Sequence, residues 1–527
     1  MVFDVIVVGG GAAGAAITWL LTKEGHKVVC LERGPWMRPD TYPSTRENWE
    51  TLKDGPFSPV PSHRKSAYDY PIDDSASPIA VCNFNAVGGS TILYSGHYPR
   101  FRETDFQLRS NEDIGEDWPI SYEDLRPFYD LNEQETGVAG LVGDPAYPDI
   151  KSLLPPVPIG ESGRILAEAF NKLNWHWWPS YAAISTRERN GRNACINLGP
   201  CNTGCPQQAK SSADITYMKR AKALGAIVIS ESAVKCIIVN GKVAVGVDYI
   251  DSEGNEARLF AKKIVLASSA IGTPRLLLNS VSEKHPCGLA NEYDQVGRNL
   301  MLHPLGLVDG LFNFDLDADT GPQGCMIYSL EHYRSKVASH KLGYMMHALR
   351  GGGPLEAARY AWSRKRLNFG SSLYKDFAAF HRRQLALSII CEDLADPENR
   401  VCLDGTHSDV YGVPGVKIHY KMSENTKAIM LHGMNNARKL LKEAGAKKTF
   451  AYGPVRNTGW HTMGSCRMGE DPRSSVVDTF GECHSISNLH IADSSLFVSG
   501  SCVNPANTVQ ALALLIGSKI NDQLRMA

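Results

Sequence analysis

The sequence predicts an α/β protein, α+β overall, and three observations carry that expectation. A strand, a glycine turn, a helix and a second strand follow one another from Phe3 to Glu32. Three further strand-like runs crowd residues 226–268, at Ile227–Ile229, Ala244–Ile250 and Lys263–Ala267. From Gly459 the chain is rich in glycine, serine and histidine and only then helical, which suggests a C-terminal segment that returns to a site.

The opening unit is the most explicit. Phe3 to Val8 is short, β-branched and nearly all apolar, the pattern of a strand buried on both faces. It runs into Gly9-Gly10-Gly11-Ala12-Ala13-Gly14, a G-x-G-x-x-G turn, then a helix with Ala16, Leu20 and Leu21 apolar and Gly25 as its stop. Lys27 to Leu31 forms a second strand that ends in Glu32. Gly9 permits the tight turn, Gly11 lets backbone approach a pyrophosphate, and Gly14 lets helix and strand pack closely. The pyrophosphate belongs on the helix N-terminus, where unpaired N–H groups favour an anion. Glu32 is placed to accept hydrogen bonds from ribose hydroxyls, and an acid there disfavours a 2′-phosphate. A dinucleotide in a Rossmann-type unit follows. The pattern does not separate FAD from NAD.

Further along, residues 35–79 are proline-rich and polar, reading as surface excursions. A second glycine turn stands at Gly88-Gly89-Ser90-Thr91. Helices are expected at Tyr122–Glu135, Gly163–Leu173 and Lys210–Leu224, and again from Ile271-Gly272-Thr273-Pro274. The turn Asp251–Asn255 makes the runs on either side a hairpin. Arg364, Lys365, Arg366, Arg382 and Arg383, interleaved with aromatics, read as a solvated helical face.

Composition bounds the function. The chain has 527 residues, and 55 Lys+Arg stand against 56 Asp+Glu, without the basic excess a nucleic-acid binder carries. Thirteen cysteines in so long a chain do not make a disulfide scaffold. Val2 to Val8 has no basic flank or cleavage site, and no segment reaches the ~20 apolar residues of a membrane span, so a cytoplasmic enzyme is expected. Monomer and oligomer stay equally open.

Three later segments give a specific resemblance. They are Val87-Gly88-Gly89-Ser90-Thr91 with Pro99-Arg100-Phe101; Ala267 to Leu277; and a C-terminal block. That block runs from His461 to Gly469, through Asn488 to Ser495, to Asn504-Pro505-Ala506-Asn507-Thr508. In this order the chain resembles the glucose-methanol-choline (GMC) oxidoreductase family, and its bacterial sugar- and pyranose-oxidising branch in particular. The resemblance implies FAD, contacted by Gly9, Gly11, Ala12, Ala13, Gly14, Glu32, Arg33, Gly88, Ser90, Val234, Asp493, Asn504, Pro505 and Thr508. Some sugar oxidases of the family attach FAD through a histidine where Leu93 stands here; leucine cannot form that bond, so non-covalent FAD is expected.

The resemblance also implies an FAD-binding domain built from residues 1–110, 195–300 and 455–527. A substrate domain on a mostly antiparallel sheet takes 111–194 and 301–454. His461 matches the family's catalytic histidine and Asn504 its second catalytic position. The implied reaction is oxidation of a polar alcohol (a sugar, amino sugar or polyol) to an aldehyde or ketone. Hydride passes to flavin N5, His461 is the base, and O2 or another acceptor takes the electrons. Oxidase and dehydrogenase stay open. His303, in a His-Pro pair, reads as structural, and Trp175, Trp177 and Trp178 as packing residues that could also stack on a sugar. No metal site is expected. The alternative is a flavoprotein subunit of an electron-transfer complex, with an iron–sulfur cluster on Cys195, Cys201 and Cys205.

Overall fold

A computed structural model describes residues 2–148, 150, 153–334, 337–350, 352–363 and 367–526; Arg364, Lys365 and Arg366 of the basic cluster lie outside them. The chain is mixed α/β, and its described residues are organised on three sheets.

The first sheet has seven strands. Val2–Val8 (β1) lies at its centre, parallel to Val28–Leu31 (β2) on one side and to Glu256–Leu266 on the other. Ile227–Ile229 extends the edge beyond β2. The long strand Glu256–Leu266 changes partner along its length. Its first half pairs antiparallel with Val243–Ile250, and its last residues pair parallel with Leu489–Ile491. Val8, Leu266 and Ile491 therefore stand side by side at the carboxyl edge. The helix Ala12–Lys23 (α1) rises from that edge, and no bulkier residue could replace Gly14, whose Cβ would sit 1.8 Å from the Gly9 carbonyl oxygen.

The second sheet is antiparallel, in the order Lys448–Tyr452, Leu305–Leu311, Gln384–Cys391, Tyr344–Leu349, Ile327–Ser329 and Trp178–Pro179. Side chains alternate between its faces. Gly306, Ile389 and Tyr344 meet the amphipathic helix Glu424–Glu443, through Met430, Met434 and Gly433. That leaves Leu305, Leu307, His347, Leu349, Ser388 and Ile390 on the opposite face. A small third sheet joins Ile72–Ala76 to the hairpin Arg400–Ser408 and Pro414–His419.

Two local expectations change. Ala233–Asn240 is a strand, which makes the hairpin a three-stranded meander with Val243–Ile250 and Glu256–Leu266. The helix expected at Lys210–Leu224 begins only at Asp214, with a π-helical turn to Met218 and an α-helix over Lys219–Ala223. Residues 210–212 before it are not helical. Lys210 bridges to Ile184, and its buried Nζ donates to the carbonyls of Ile92 (2.6 Å), Tyr94 (2.7 Å) and Cys201 (2.6 Å). All three ammonium donors are thereby spent on three loop carbonyls.

The final helix, Ala506–Met526, packs between α1 and Tyr122–Thr136. Its entry is fixed by a buried polar network. Arg100 donates to Glu133 at 2.7 and 2.5 Å and to Asp130 at 2.7 Å; Asn507 donates to Glu133 at 3.0 Å and accepts from Asn132 at 2.8 Å. Arg100 and Glu133 are both buried, so removing one leaves the other's charge uncompensated, which costs ~3–5 kcal/mol. Arg100→Leu is accordingly expected to lower the thermal unfolding midpoint sharply, as read by circular dichroism. An unchanged midpoint would show that the network does not anchor the last helix.

Candidate active site

The carboxyl edge of the first sheet and the open face of the second enclose a cavity with about 440 Å³ of space that water can enter. Gly9, Gly11, Ala12, Ala13, Glu32, Arg33, Ser90, Val234, Asp493, Asn504, Pro505 and His461 all line it. Gly14, Gly88 and Thr508 stand behind its wall. Gly88, with φ +98°, donates its N–H to the Gly10 carbonyl, and the Thr508 hydroxyl pairs with Tyr129 at 2.7 Å.

One end has the features of a dinucleotide cradle. A Cβ on Gly11 would meet only the Gly89 Cα, at 3.9 Å, so the backbone there is open to close approach. No side chain caps α1, which leaves its first N–H groups free for an anion. Glu32 is buried, and its two oxygens accept the N–H groups of Gly10 (2.8 Å) and Gly34 (2.9 Å). Each oxygen keeps a lone pair for a ribose hydroxyl. Burial pushes this carboxyl up to about 7, against the pull of the Gly34 and Gly10 N–H groups and of Arg33. Arg33 and Arg275 both pair with Asp409 and flank the Tyr70 ring. Asp493 is buried too, and its carboxylate accepts from Ser269 N–H (2.9 Å), the Thr273 hydroxyl (2.6 Å) and Ser495 N–H (2.9 Å). It ties the final return of the chain to the helix Ser269–Asn279.

At the other end, four side chains form a row whose protons can be assigned. The Gly500 carbonyl can only accept, so His303 Nε2 carries a proton and donates to it at 2.9 Å. Burial holds the His303 pKa down to about 4, so the ring is neutral and its Nδ1 is bare. His461 Nδ1, 3.0 Å away, must then carry the proton and donate. Burial, then the nearby His303 and His347, keeps the His461 pKa well below its ordinary value, so its Nε2 is bare in turn. That lone pair accepts the Asn504 Nδ2–H at 3.1 Å, and Asn504 Oδ1 accepts from His97 Nδ1 at 2.8 Å. His461 thus presents a basic nitrogen and Asn504 a donor, side by side on the cavity wall. His303 lies behind them and outside the lining, bonded to the base.

The antiparallel sheet roofs this end. Leu305 and Leu307, His347 and Leu349, and Ser388 and Ile390 alternate inward from three adjacent strands, with His347 opposite Ser388 and Ser388 opposite Leu307. Gln323 adds a buried amide oxygen that has no partner among the described residues. The roof is therefore mainly aliphatic with a few polar points. Sequence reasoning did not single out His97, His347, Ser388 or Gln323. The signal for the roof was the period-two spacing within each strand, legible only once the strands are paired.

Of the other expected residues, Leu93 also lines the cavity. Trp175, Trp177 and Trp178 do not: Lys439 sits over Trp175, and the other two indoles donate to Asn171 Oδ1 and the Leu141 carbonyl. Cys195, Cys201 and Cys205 are free thiols, and burial pushes Cys201 up to about 12. Among the described residues no group of three or more His, Cys, Asp or Glu side chains is arranged to hold a metal ion, and no helix is long and apolar enough to cross a membrane.

Fold and cavity together have the features of a dinucleotide-binding α/β protein, and sequence comparison shows the oxidoreductase family. Models of the N- and C-terminal parts of the GMC oxidoreductases match residues 3–305 and 395–513; the chain belongs to this family. It is 36% identical to a 2-methyl-1,2-propanediol dehydrogenase of Mycolicibacterium austroafricanum, over 98% of this chain and 95% of that one. Identity to the fructose dehydrogenase large subunit of Gluconobacter japonicus is 27%, over 99% and 98%. Among solved structures, the pyridoxine 4-oxidase of Mesorbium loti superposes with a TM-score of 0.66 at 15% identity, covering 98% of this chain and 99% of that one, a likeness of fold. These enzymes are alcohol and sugar oxidoreductases as a family, and its members bind FAD.

The residues at the cradle fit that group: an open glycine, an uncapped helix start and a carboxylate with spare lone pairs. Ribose hydroxyls that donated to Glu32 would favour its ionised form, and binding at low pH would then expel a proton. FAD affinity of the apoprotein is therefore expected to fall as pH drops below about 7, by up to tenfold per unit. Flavin-fluorescence titration from pH 5.5 to pH 8 measures it, and a flat profile would sever Glu32 from the cofactor.

Proposed function

We propose that the chain oxidises a small polar alcohol, from the class of sugars, amino sugars and polyols, to an aldehyde or ketone, using non-covalent FAD. O2 or another acceptor takes the electrons. The observation that carries this reading is the bare Nε2 of His461 beside the Asn504 N–H on the cavity wall. Bound FAD supplies a hydride acceptor for the carbinol carbon. An alcohol proton is too weakly acidic to leave unaided near pH 7, and a positioned base accelerates its removal ~10²–10⁴-fold. A substrate hydroxyl between the two side chains donates to His461 and accepts from Asn504. The imidazolium that results still donates Nδ1–H to the bare Nδ1 of His303, so its charge is met as it forms. Asn504 cannot act as a base; its amide orients the oxygen.

The aliphatic roof supports the smaller, partly apolar members of this class, and the diol named for the Mycolicibacterium relative is of that kind. Sheet membership supports assigning residues 1–110, 195–300 and 455–527 to FAD and 111–194 and 301–454 to substrate. The seven-stranded sheet draws its strands from the first set and the six-stranded sheet from the second. The small sheet through Ile72–Ala76 crosses that division.

His461→Ala is expected to lower the rate of anaerobic flavin bleaching by a diol or sugar ~10²–10⁴-fold with flavin content intact. In the parent enzyme the acid limb of kcat/KM should lie below 6.5, because the burial that lowers the His461 pKa keeps the base free as pH falls. Undiminished bleaching in the variant would remove His461 from the chemistry. Acid precipitation should leave the flavin in the supernatant, since Leu93 offers no bond to it. Yellow pellets would show a covalent link supplied elsewhere.

A further inference from the structure

His97 is not used by that mechanism, yet it is fixed with unusual care. It lies in the loop that follows the second glycine turn and is 1% exposed. Its ring stacks on His347 with centroids 4.2 Å apart and planes 18° apart, and it tilts against Tyr328 at 5.5 Å. His347 is anchored in turn by donating Nε2–H to the Gly324 carbonyl. The polar contact of His97 is the one to Asn504 Oδ1, at 2.8 Å. Its other nitrogen, Nε2, is buried without a partner among the described residues, as suits a bare ring nitrogen better than a protonated one.

A primary amide can sit in two orientations of nearly equal shape, related by exchange of its oxygen and nitrogen. Only one serves the reaction: Nδ2–H toward His461 and the substrate oxygen, Oδ1 away. Before the proton moves, the bare Nε2 of His461 favours that orientation. Once His461 holds the substrate proton, its Nε2–H is a donor and attracts Oδ1, the wrong end of Asn504. At that moment His461 no longer keeps the amide correct, and His97 Nδ1–H is the group that does. Turning the amide over would break the His97 bond and set two donors against each other at 2.8 Å.

We propose that His97 is a positioning residue. By donating Nδ1–H to Asn504 Oδ1, it locks the amide with its N–H toward the reacting oxygen throughout proton transfer. This rests on the roles proposed above for His461 and Asn504.

The test is a double-mutant cycle on the FAD-loaded enzyme, read by anaerobic stopped-flow flavin reduction with a diol substrate. His97→Phe keeps a ring to stack on His347 and removes the donor. It is expected to slow reduction at saturating substrate ~10- to 100-fold, with flavin content retained and KM within about threefold. His97→Asn, which returns an N–H near the Nδ1 position, should recover most of that loss. In an Asn504→Ala background His97→Phe should change the rate by less than about twofold. His97→Ala reads the same comparison if the phenylalanine disturbs flavin loading.

An equal loss with and without Asn504 overturns the assignment of His97 while leaving the proposed function standing. So does a His97→Asn enzyme as slow as His97→Phe, or a His97→Phe enzyme as fast as the parent. A parental rate in Asn504→Ala or His461→Ala instead overturns the catalytic reading, and the role of His97 with it.

Discussion

The constraint on which the rest of the molecule depends is the shared register of three distant strands. Val8, Leu266 and Ile491 align across a parallel ladder, continued by Ala267 N–H donating to Val8 O at 2.8 Å and Ala492 N–H to Leu266 O at 2.9 Å. Three segments therefore leave the sheet at one edge: the glycine turn from residue 9, the segment 267–269 and the return through Asp493. The crowding there is severe. A Cβ on Gly9 would stand 2.5 Å from the Ala267 carbonyl oxygen. Ligands of open α/β sheets bind beyond the carboxyl ends of the strands, and here the register alone decides which residues meet there.

In the function proposed above, the histidine end of the cavity meets a different physical demand. A base must stay unprotonated until its substrate arrives, yet be stabilised once charged. Burial meets the first requirement, because a low-dielectric surround disfavours imidazolium in His461, His303 and His97 alike. The Gly500 carbonyl meets the second indirectly. By fixing the proton of His303 on Nε2 it leaves Nδ1 as an acceptor aimed at His461. The roof adds a mainly aliphatic wall on this side of the cavity.

Much of this was legible in the sequence where the signal is local. The strand, the glycine turn, α1 and Glu32 are one continuous stretch, and each residue type there has a single physical explanation. The fold class and the family followed from motifs that recur in order along the chain. The misreadings arose where tertiary contacts outweigh local preference. Lys210 sits in a helix-like run, yet three loop carbonyls hold its ammonium, and the backbone there is not helical. Ala233–Asn240 hides beside Ser230-Glu231-Ser232 and becomes a strand through its partner Val243–Ile250. His97 is a lone histidine in a loop, more than 400 residues from Asn504 in sequence. Its meaning exists only in three dimensions, as does that of the roof, whose residues come from three strands.

The interleaving has a consequence for how the protein is made. The edge of the first sheet is incomplete until Leu489–Ile491 adds to Glu256–Leu266, and Asp493 and Asn504 come later still. A chain emerging from the ribosome can form the glycine turn and α1 early, but it has no complete cradle until residue 504 has been synthesised. Until then the buried polar groups waiting for the last helix, Glu133 and Asn132 among them, lack Asn507 as a partner. In the function proposed above, flavin capture is thus a late event in biogenesis, and a nascent chain that stalls short of Leu489 exposes an open sheet edge rather than a weak enzyme.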